Sequence, residues 1–399
     1  MGTQTADVVI VGLGAVGSAT IYQLAKFDLT VTGIDRFSPP HALGSTHGDT
    51  RITRRATGEG EEFVPLVSRS HEIWREIEAA AQTELFTACG CLILEADSIA
   101  GSSQHGAADF LNKTVAIAQN FEIEHEVISG DEIRSRFPQF HLNEEHRGYY
   151  EPEGGFVRPE AAVAAQLELA RGHKGTLIQR NERAIRVDAT SSGVTVQTDR
   201  AMYSAGQAVI AAGPWVGELA GSADISRLCT VYPQALHWFA LDSWTESMTA
   251  AKMPAFVWAF GSAEGDMFYG FPAIDGPGGG LKVATEQHSS TGDPDEPDRV
   301  ITAEDSLAMF DHYVAGRLPL RRSVVKAARC WYTMAPQSRF IIDRHPQHDN
   351  VLIASPCSGH GFKHSAAIGE ALARLLAGAP PRINLLPFGI EYFPGVGRY

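Results

Sequence analysis

An unbroken apolar run, Val8 to Val11, feeds straight into Gly12, Gly14 and Gly17, spaced as G-x-G-x-x-G. A second apolar run, Thr30 to Ile34, ends at Asp35. The pattern predicts strand, glycine turn, helix over 18–26, strand and acid within about 30 residues. Downstream, Phe63, Leu66, Val67, Ile73, Trp74 and Ile77 recur at helical spacing and predict a helix over 61–81. Cys91 to Val127 reads as strands around a helix at 110–117. Ser129 and Glu132 form a capping-box signature, and Pro159 suits the first position of a helix running to Arg171. Residues 176–213 read as strand, hairpin at Ser191–Gly193, and strand, ending in a glycine turn before Trp215. Short aromatic strands broken by Pro and Gly fill 230–284 and predict a mainly antiparallel sheet. An exposed acidic loop is expected over 287–300 and a helix over 303–318. The last unit repeats the opening logic: an apolar run over 351–355, glycines at 359 and 361, and a helix over 363–376.

The opening unit has the residues that dinucleotide binding requires. Gly12 permits the tight turn, Gly14 lets backbone approach a pyrophosphate, and Gly17 lets the helix pack close to the strand. The helix would aim its first N–H groups, around Ala15 and Val16, at the phosphates. Asp35 would accept a hydrogen bond from a ribose hydroxyl, with Arg36 beside it. Two separated glycine-loop helices with a hairpin between them suit a long, bent FAD better than a nicotinamide cofactor. The ligand belongs where the strand ends converge. The second helix start would stabilise negative charge on the pyrimidine end of a reduced flavin.

Bulk properties narrow the classes. A chain of 399 residues suits two domains or one large elaborated one. The formal charge of −14 disfavours nucleic acid and anionic membrane surfaces. No apolar run approaches the roughly 20 residues of a membrane span. No secretory signal, myristoylation site or peroxisomal address is expected at the ends. Five scattered cysteines (Cys89, Cys91, Cys229, Cys330, Cys357) are no disulfide framework and suggest a reducing cytoplasm. Cys89 and Cys91 read as ordinary thiols, and no metal site is expected.

Four segments carry a closer resemblance. They are the N-terminal fingerprint; Gly48 through Arg51 to Arg54; Tyr269 to Pro272 with Gly280 to Lys282; and Cys330 to Thr333 through Phe340 to Asp343 and Ser358 to Lys363. On these the chain resembles the monomeric sarcosine oxidase and N-methyltryptophan oxidase family of amine-oxidising flavoproteins, over most of its length. The resemblance implies FAD bound covalently as a thioether to Cys330, although a lone Cys is otherwise most often a buried structural thiol. It places Arg51 beside the flavin ring and sets Arg54 with Lys363 around a substrate carboxylate, a fork and a point charge for one anion. It puts Lys282 near flavin N5 through a water, where its charge would help dioxygen accept an electron. Lys282 itself ends an apparent buried strand, where an unpaired ammonium is costly.

The resemblance also implies further positions around FAD. Ser45, His47 and Thr50 come from the loop after Asp35. Gly213 and Trp215 come from the second glycine turn, and Gly359, His360, Gly361 and Phe362 from the third. Tyr269 and Tyr332 read as pocket walls or core; Trp238, Trp258 and Trp331 as core or pocket. One departure stands out. Where the family usually has a histidine four residues after the lysine, this chain has Glu286, with His288 two further on and on the same face if the strand continues. Glu286 would pair with Lys282, engage a cationic amine, or lie solvated.

The expected fold is α/β, with a Rossmann-like FAD domain in three pieces (1–85, 149–222, 323–385). A mostly antiparallel substrate domain comes in two pieces (86–148, 223–322), followed by a tail (386–399). The activity implied is oxidation of a secondary amine, an N-methyl or cyclic amino acid, with imine release and dioxygen reduced to hydrogen peroxide. Rivals are a fructosyl amino acid oxidase, a dehydrogenase using another acceptor, and a flavin-binding subunit without activity. A monomer with no nucleic-acid or membrane partner is expected.

Overall fold

The computed structural model describes residues 3–99, 104, 108–143, 145–261, 263, 265–296 and 300–393. Part of the expected acidic loop (297–299) and the end of the tail (394–399) lie outside the described residues.

The opening pattern folds as β1 (Thr3–Val11), α1 (Ala15–Leu24) and β2 (Val31–Ile34). β1 and β2 pair in parallel, and β1 pairs on its other side with the parallel strand Met202–Ile210. Gly12 takes φ of +91°, and a Cβ there would lie 2.5 Å from the Ala211 carbonyl. A Cβ on Gly17 would lie 1.8 Å from the Gly12 carbonyl, so only glycine lets α1 sit against the turn. The sheet has eight strands. Thr176–Gln179 adds in parallel beside β2, and His348–Ser355 adds in parallel to the far half of Met202–Ile210. A hairpin, Ala184–Thr190 with Gly193–Thr198, and the strand Ile341–His345 complete it antiparallel. Helix Ser365–Leu376 packs on α1, with Gly369 against Ala19.

A second eight-stranded sheet runs in the order Leu320–Met334, Thr230–Leu241, Leu281–Ala284, Met267–Gly270, Ala255–Ala259, Cys91–Ala96, His146–Glu151, Glu126–Ser129. All its pairs are antiparallel except Ala255–Ala259 with Cys91–Ala96. A small three-stranded sheet has Gly155–Val157 at its centre, with β3 (Arg51–Thr53) on one side and Phe86–Thr87 on the other. The class is α/β, as the pattern implies.

Local signals hold closely. Helix Val64–Ala81 buries Val64, Leu66, Val67, Ile73, Trp74 and Ile77, one apolar stripe. Ser129 caps Gly130–Arg136 through a full capping box, and Pro159 opens Pro159–Arg171. The helix expected over 303–318 is shorter: an α-helical Ala303–Met309 widens into a π-helical turn, Phe310–Val314. Among the described residues no helix is long and apolar enough to cross a membrane.

Candidate active site

One cavity runs along the carboxyl edge of the first sheet and continues beneath the second. Its walls at one end are strand ends: Val11 and Gly12 after β1, Ile34 and Asp35 after β2, Ala211 to Trp215, and Ser355 with Pro356. That is where a doubly wound sheet presents backbone to a ligand. At the other end the walls come from β3 and the second sheet: Arg51, Arg54, Tyr269, Glu286 and Tyr332, closed by Lys363.

The glycine end is built to receive a dinucleotide. α1 begins without a side-chain cap, and its Ala15 amide meets only the Thr46 hydroxyl, at 3.3 Å. Ser45 lines the cavity, and its buried Oγ has no partner among the described residues. Both are groups that a polar ligand would satisfy. Asp35 accepts from the Leu13 amide at 2.7 Å and from the Phe37 amide at 2.8 Å, bracing the glycine turn and leaving lone pairs for a ribose. Ala15, Val16, Arg36, Gly213, Trp215, Gly359, His360, Gly361 and Phe362 all line this cavity. At Gly361 a Cβ would lie 1.5 Å from the Pro356 carbonyl, so the last glycine loop also closes only with glycine. An acid from the expected loop reaches this end: Asp295 pairs with Arg36 and accepts from Trp215 Nε1 at 2.6 Å.

At the other end, the cations expected to grip a carboxylate are already in contact with an acid. Arg54 and Lys363 flank Glu59, with Arg54 Nη2 3.2 Å and Lys363 Nζ 3.1 Å from its two oxygens; all three side chains are 3–4% exposed. Burial lowers the Lys363 ammonium to about 8, against the pull of Glu59. Among the described residues, buried Arg54 Nε finds no hydrogen-bond partner. The trio carries one positive charge in excess and an unused donor, which suits one anion. A second buried acid shapes the turn: Glu151 accepts from the amides of Arg55 (2.6 Å) and Ala56 (3.1 Å) and from the Tyr149 hydroxyl (2.8 Å). It thereby holds the backbone next to Arg54.

Between the two ends stands Arg51. Its guanidinium donates to the Thr50 and Ser45 carbonyls and lies 3.4 Å from Cys330 Sγ. Cys330 is 1% exposed and one side chain behind the cavity wall, whereas its neighbours Trp331 and Tyr332 form that wall. Lys282 also lies behind the wall. It falls second in Leu281–Ala284 rather than at a strand end, and donates to the carbonyls of Gly48 (2.6 Å) and Thr50 (2.8 Å). Burial and the neighbouring Arg51 push its ammonium well below the ordinary lysine range. The amides of Gly48 and Asp49 donate to Glu160 at 2.6 and 3.1 Å, so the Arg51 loop is gripped on both of its edges.

Several expected positions fall elsewhere. His47 and Thr50 do not line the cavity; they are buried in the loop behind Arg51, and burial with nearby cations lowers His47 to about 3. Gly17 serves packing only. His288 does not share a face with Glu286, because the strand stops at Ala284; its ring packs on Tyr232 at 5.3 Å. Trp238 and Trp258 are core, and only Trp331 of the three reaches the cavity. Tyr269 and Tyr332 are walls, their hydroxyls 3.4 Å apart. Burial raises Tyr269 to about 12 and Tyr332 well above 10, with Glu286 adding to both. The sequence reading missed Glu59, Glu151, Glu160 and Asp295. Only Glu59 left a signal, an acid between two glycines four residues after the Arg54–Arg55 pair.

Comparison with known proteins shows the family. Residues 7–375 match the FAD dependent oxidoreductase family. The monomeric sarcosine oxidase of Streptomyces avermitilis is 35% identical over 375 residues, covering 93% of each chain. The N-methyl-L-tryptophan oxidase of Salmonella heidelberg is 31% identical over 97% of this chain and 99% of its own. Among solved structures, the open form of NikD, an unusual amino acid oxidase essential for nikkomycin biosynthesis, superposes with a TM-score of 0.81 at 21% identity, covering 97% of this chain and 98% of its own. The L-proline dehydrogenase of P. horikoshii gives 0.79 at 19% identity, covering 98% and 99%. The cradle of strand ends and glycine turns thus has a family to match, and the chain belongs to the FAD dependent oxidoreductases, of the sarcosine and N-methyltryptophan oxidase type.

Proposed function

We propose that this protein is an oxidase of secondary amines in N-methyl or cyclic amino acids, with FAD joined to Cys330 and dioxygen as the electron acceptor. When bound, FAD would supply the redox chemistry, oxidation of the carbon–nitrogen unit to an imine that water hydrolyses, with the two electrons passed on to dioxygen as hydrogen peroxide.

The protein's own residues do the rest. Arg54 and Lys363 hold the substrate carboxylate, Glu59 keeping the two cations together and limiting their repulsion before substrate arrives. Charge-assisted bonds in so dry a site are strong and directional, and fixing the carboxylate fixes where the amine lies. Tyr269 and Tyr332 wall the substrate and exclude water, and Glu286 faces it from the same side. Arg51 would hold its guanidinium beside the bound flavin, where it would favour electron-rich states of the cofactor. Lys282, when protonated, would bring a further positive centre near the bound flavin and would favour charge gained by dioxygen there. Five free thiols suit a reducing, cytoplasmic setting, and we take the working unit to be the monomer.

The observation that carries this reading is the buried Arg54–Glu59–Lys363 group, one negative charge short and lining the same cavity as the glycine turns. Anaerobic mixing with a panel of N-methyl and cyclic amino acids should bleach the flavin, and air should restore it with peroxide formed. A panel that leaves the colour intact contradicts the proposal. Covalent attachment has its own test. Acid-precipitated protein should stay yellow, and a Cys330→Ser variant should release its flavin into the supernatant. Wild-type flavin that is wholly soluble in acid would remove Cys330 from that role.

A further inference from the structure

The Arg51 loop begins with a turn that few side chains tolerate. Gly48 has φ of +93°, and Asp49, which is not a glycine, has φ of +70°. The Thr50 amide donates to the Gly48 carbonyl at 2.8 Å, closing a three-residue turn around Asp49. Such turns with a positive φ at the centre are rare and strained, so groups outside the turn must hold it. Two charged side chains do so, from opposite sides of one peptide group. The Asp49 N–H donates to Glu160 Oε1 at 3.1 Å, and the Gly48 carbonyl of the same peptide accepts from Lys282 Nζ at 2.6 Å. The Gly48 amide adds a second bond to that same Glu160 oxygen, at 2.6 Å.

A carboxylate at the N–H end of a peptide and an ammonium at its C=O end polarise it in the same sense, so each strengthens the other's bond. Lys282 is where that matters. It is 3% exposed, and its bonds go to the Gly48 and Thr50 carbonyls, which carry no full charge. Burial disfavours its charged form, and so does Arg51 on β3; the Cys330 thiol, Asp49 and Glu160 favour it. Asp49 is already paired with Lys326, at 2.6 Å. His47, behind the loop, is held neutral by burial and the nearby cations. The rings of Phe271 and Trp238 lie 4.7 and 5.5 Å from Nζ. Glu160, at the start of Pro159–Arg171, is thus the acid whose charge reaches Lys282 through a shared peptide.

We infer that Glu160 is a positioning residue that keeps Lys282 protonated and in place, acting across the Gly48–Asp49 peptide group. The coupling stands on this geometry alone. Its consequence, a faster reaction of the reduced enzyme with dioxygen, rests on the part proposed for Lys282 in that step.

Glu160→Gln separates charge from grip. Both amides bond to one oxygen, which the side-chain carbonyl of glutamine retains, so the variant loses the charge and keeps the turn. In the oxidised holoenzyme, a pH titration of the flavin absorbance should show a step that Lys282→Met lacks. In Glu160→Gln that step should move down by about one pH unit, a tenfold change in the proton equilibrium. The flavin is then photoreduced and mixed with oxygen in a stopped flow. The wild-type rate should fall as pH rises through the step, and the Glu160→Gln rate should fall about one unit earlier. The two rates should be alike below both midpoints and differ by up to about tenfold above them. A merely structural role would lower the rate by one factor at every pH and leave the step in place. A step that stays put in Glu160→Gln, or that the wild type does not show, overturns the inference. If the step moves but Lys282→Met reoxidises as fast as the wild type, the coupling stands and the part of Lys282 in the oxygen reaction falls.

Discussion

At one end of the cavity the protein presents backbone; at the other it presents buried charge. The glycine end is made of strand termini and tight turns, and its closest approaches are between main-chain atoms, as where Gly17 meets the Gly12 carbonyl. The charged end is made of Arg54, Glu59 and Lys363, two cations from opposite ends of the chain each held within 3.2 Å of a Glu59 oxygen. Backbone recognition tolerates no added atom but carries little net charge. Charge recognition depends on which protons are present and on how dry the site is. The two ends should therefore respond differently to substitution, pH and ligand.

The largest effect is expected at Lys282, between the two ends. Lys282→Met removes a buried positive centre and keeps roughly its volume. Reoxidation of reduced flavin by oxygen, followed by stopped flow, should slow about a thousandfold if about 4 kcal/mol of stabilisation is lost. Flavin reduction by substrate should fall far less. Lys282 also grips the Gly48 and Thr50 carbonyls, so a parallel fall in both rates would show that it acts only by holding the Arg51 loop.

Next comes the charged end itself. Arg54→Ala leaves Lys363 and Glu59 as a neutral pair, and titration should show a simple carboxylate inhibitor bound about 3 kcal/mol more weakly. Lys363→Ala should act similarly, and the double variant should cost less than the sum, because both cations hold one anion. Full additivity would mean that they grip different groups.

At the glycine end, Gly17→Ala places a Cβ 1.8 Å from the Gly12 carbonyl. The helix must shift, and thermal unfolding should show a loss of about 1–3 kcal/mol together with reduced flavin content. The protein that retains flavin should still bind carboxylates normally. A coupled loss would show that the two ends are one unit.

The smallest effect is that of pH. Lys363 titrates at about 8 in the free protein, below its ordinary 10.5. Bound carboxylate favours the charged form, so affinity is full below about 8. It weakens as pH rises through that value, by up to about tenfold per unit. Lys363→Met should flatten this slope. A wild-type affinity constant from pH 7 to 9.5 contradicts the assignment.

The same contrast explains what the sequence made legible. A glycine turn imposes its demand on adjacent residues, so Gly12, Gly14 and Gly17 mark their strand and helix in one short window, and Asp35 falls where the second strand ends. Helix caps such as Ser129 with Glu132 are local in the same way. The charged end has no such window. Arg54 and Lys363 were found through resemblance, and Glu59, which joins them, was missed, since an acid between two glycines does not say what it pairs with. Glu160 and Glu151 act through backbone amides in distant segments, a contact without a sequence period. His288 would share a face with Glu286 only if the strand ran on, and it stops at Ala284. The same limit applied to Trp238 and Trp258, since an aromatic in a strand reads alike in a core and on a wall.

The central claim is that Arg54 and Lys363 hold the substrate by its carboxylate. It is tested most directly by comparing flavin reduction by an N-methyl amino acid with that by its methyl ester, in the wild type and in Arg54→Ala, without oxygen. The free acid should be favoured by roughly a hundredfold or more in the wild type, corresponding to about 3 kcal/mol at a buried charge pair, and by only a few-fold in Arg54→Ala. An ester that reduces the wild-type flavin as well as the acid does would contradict the account.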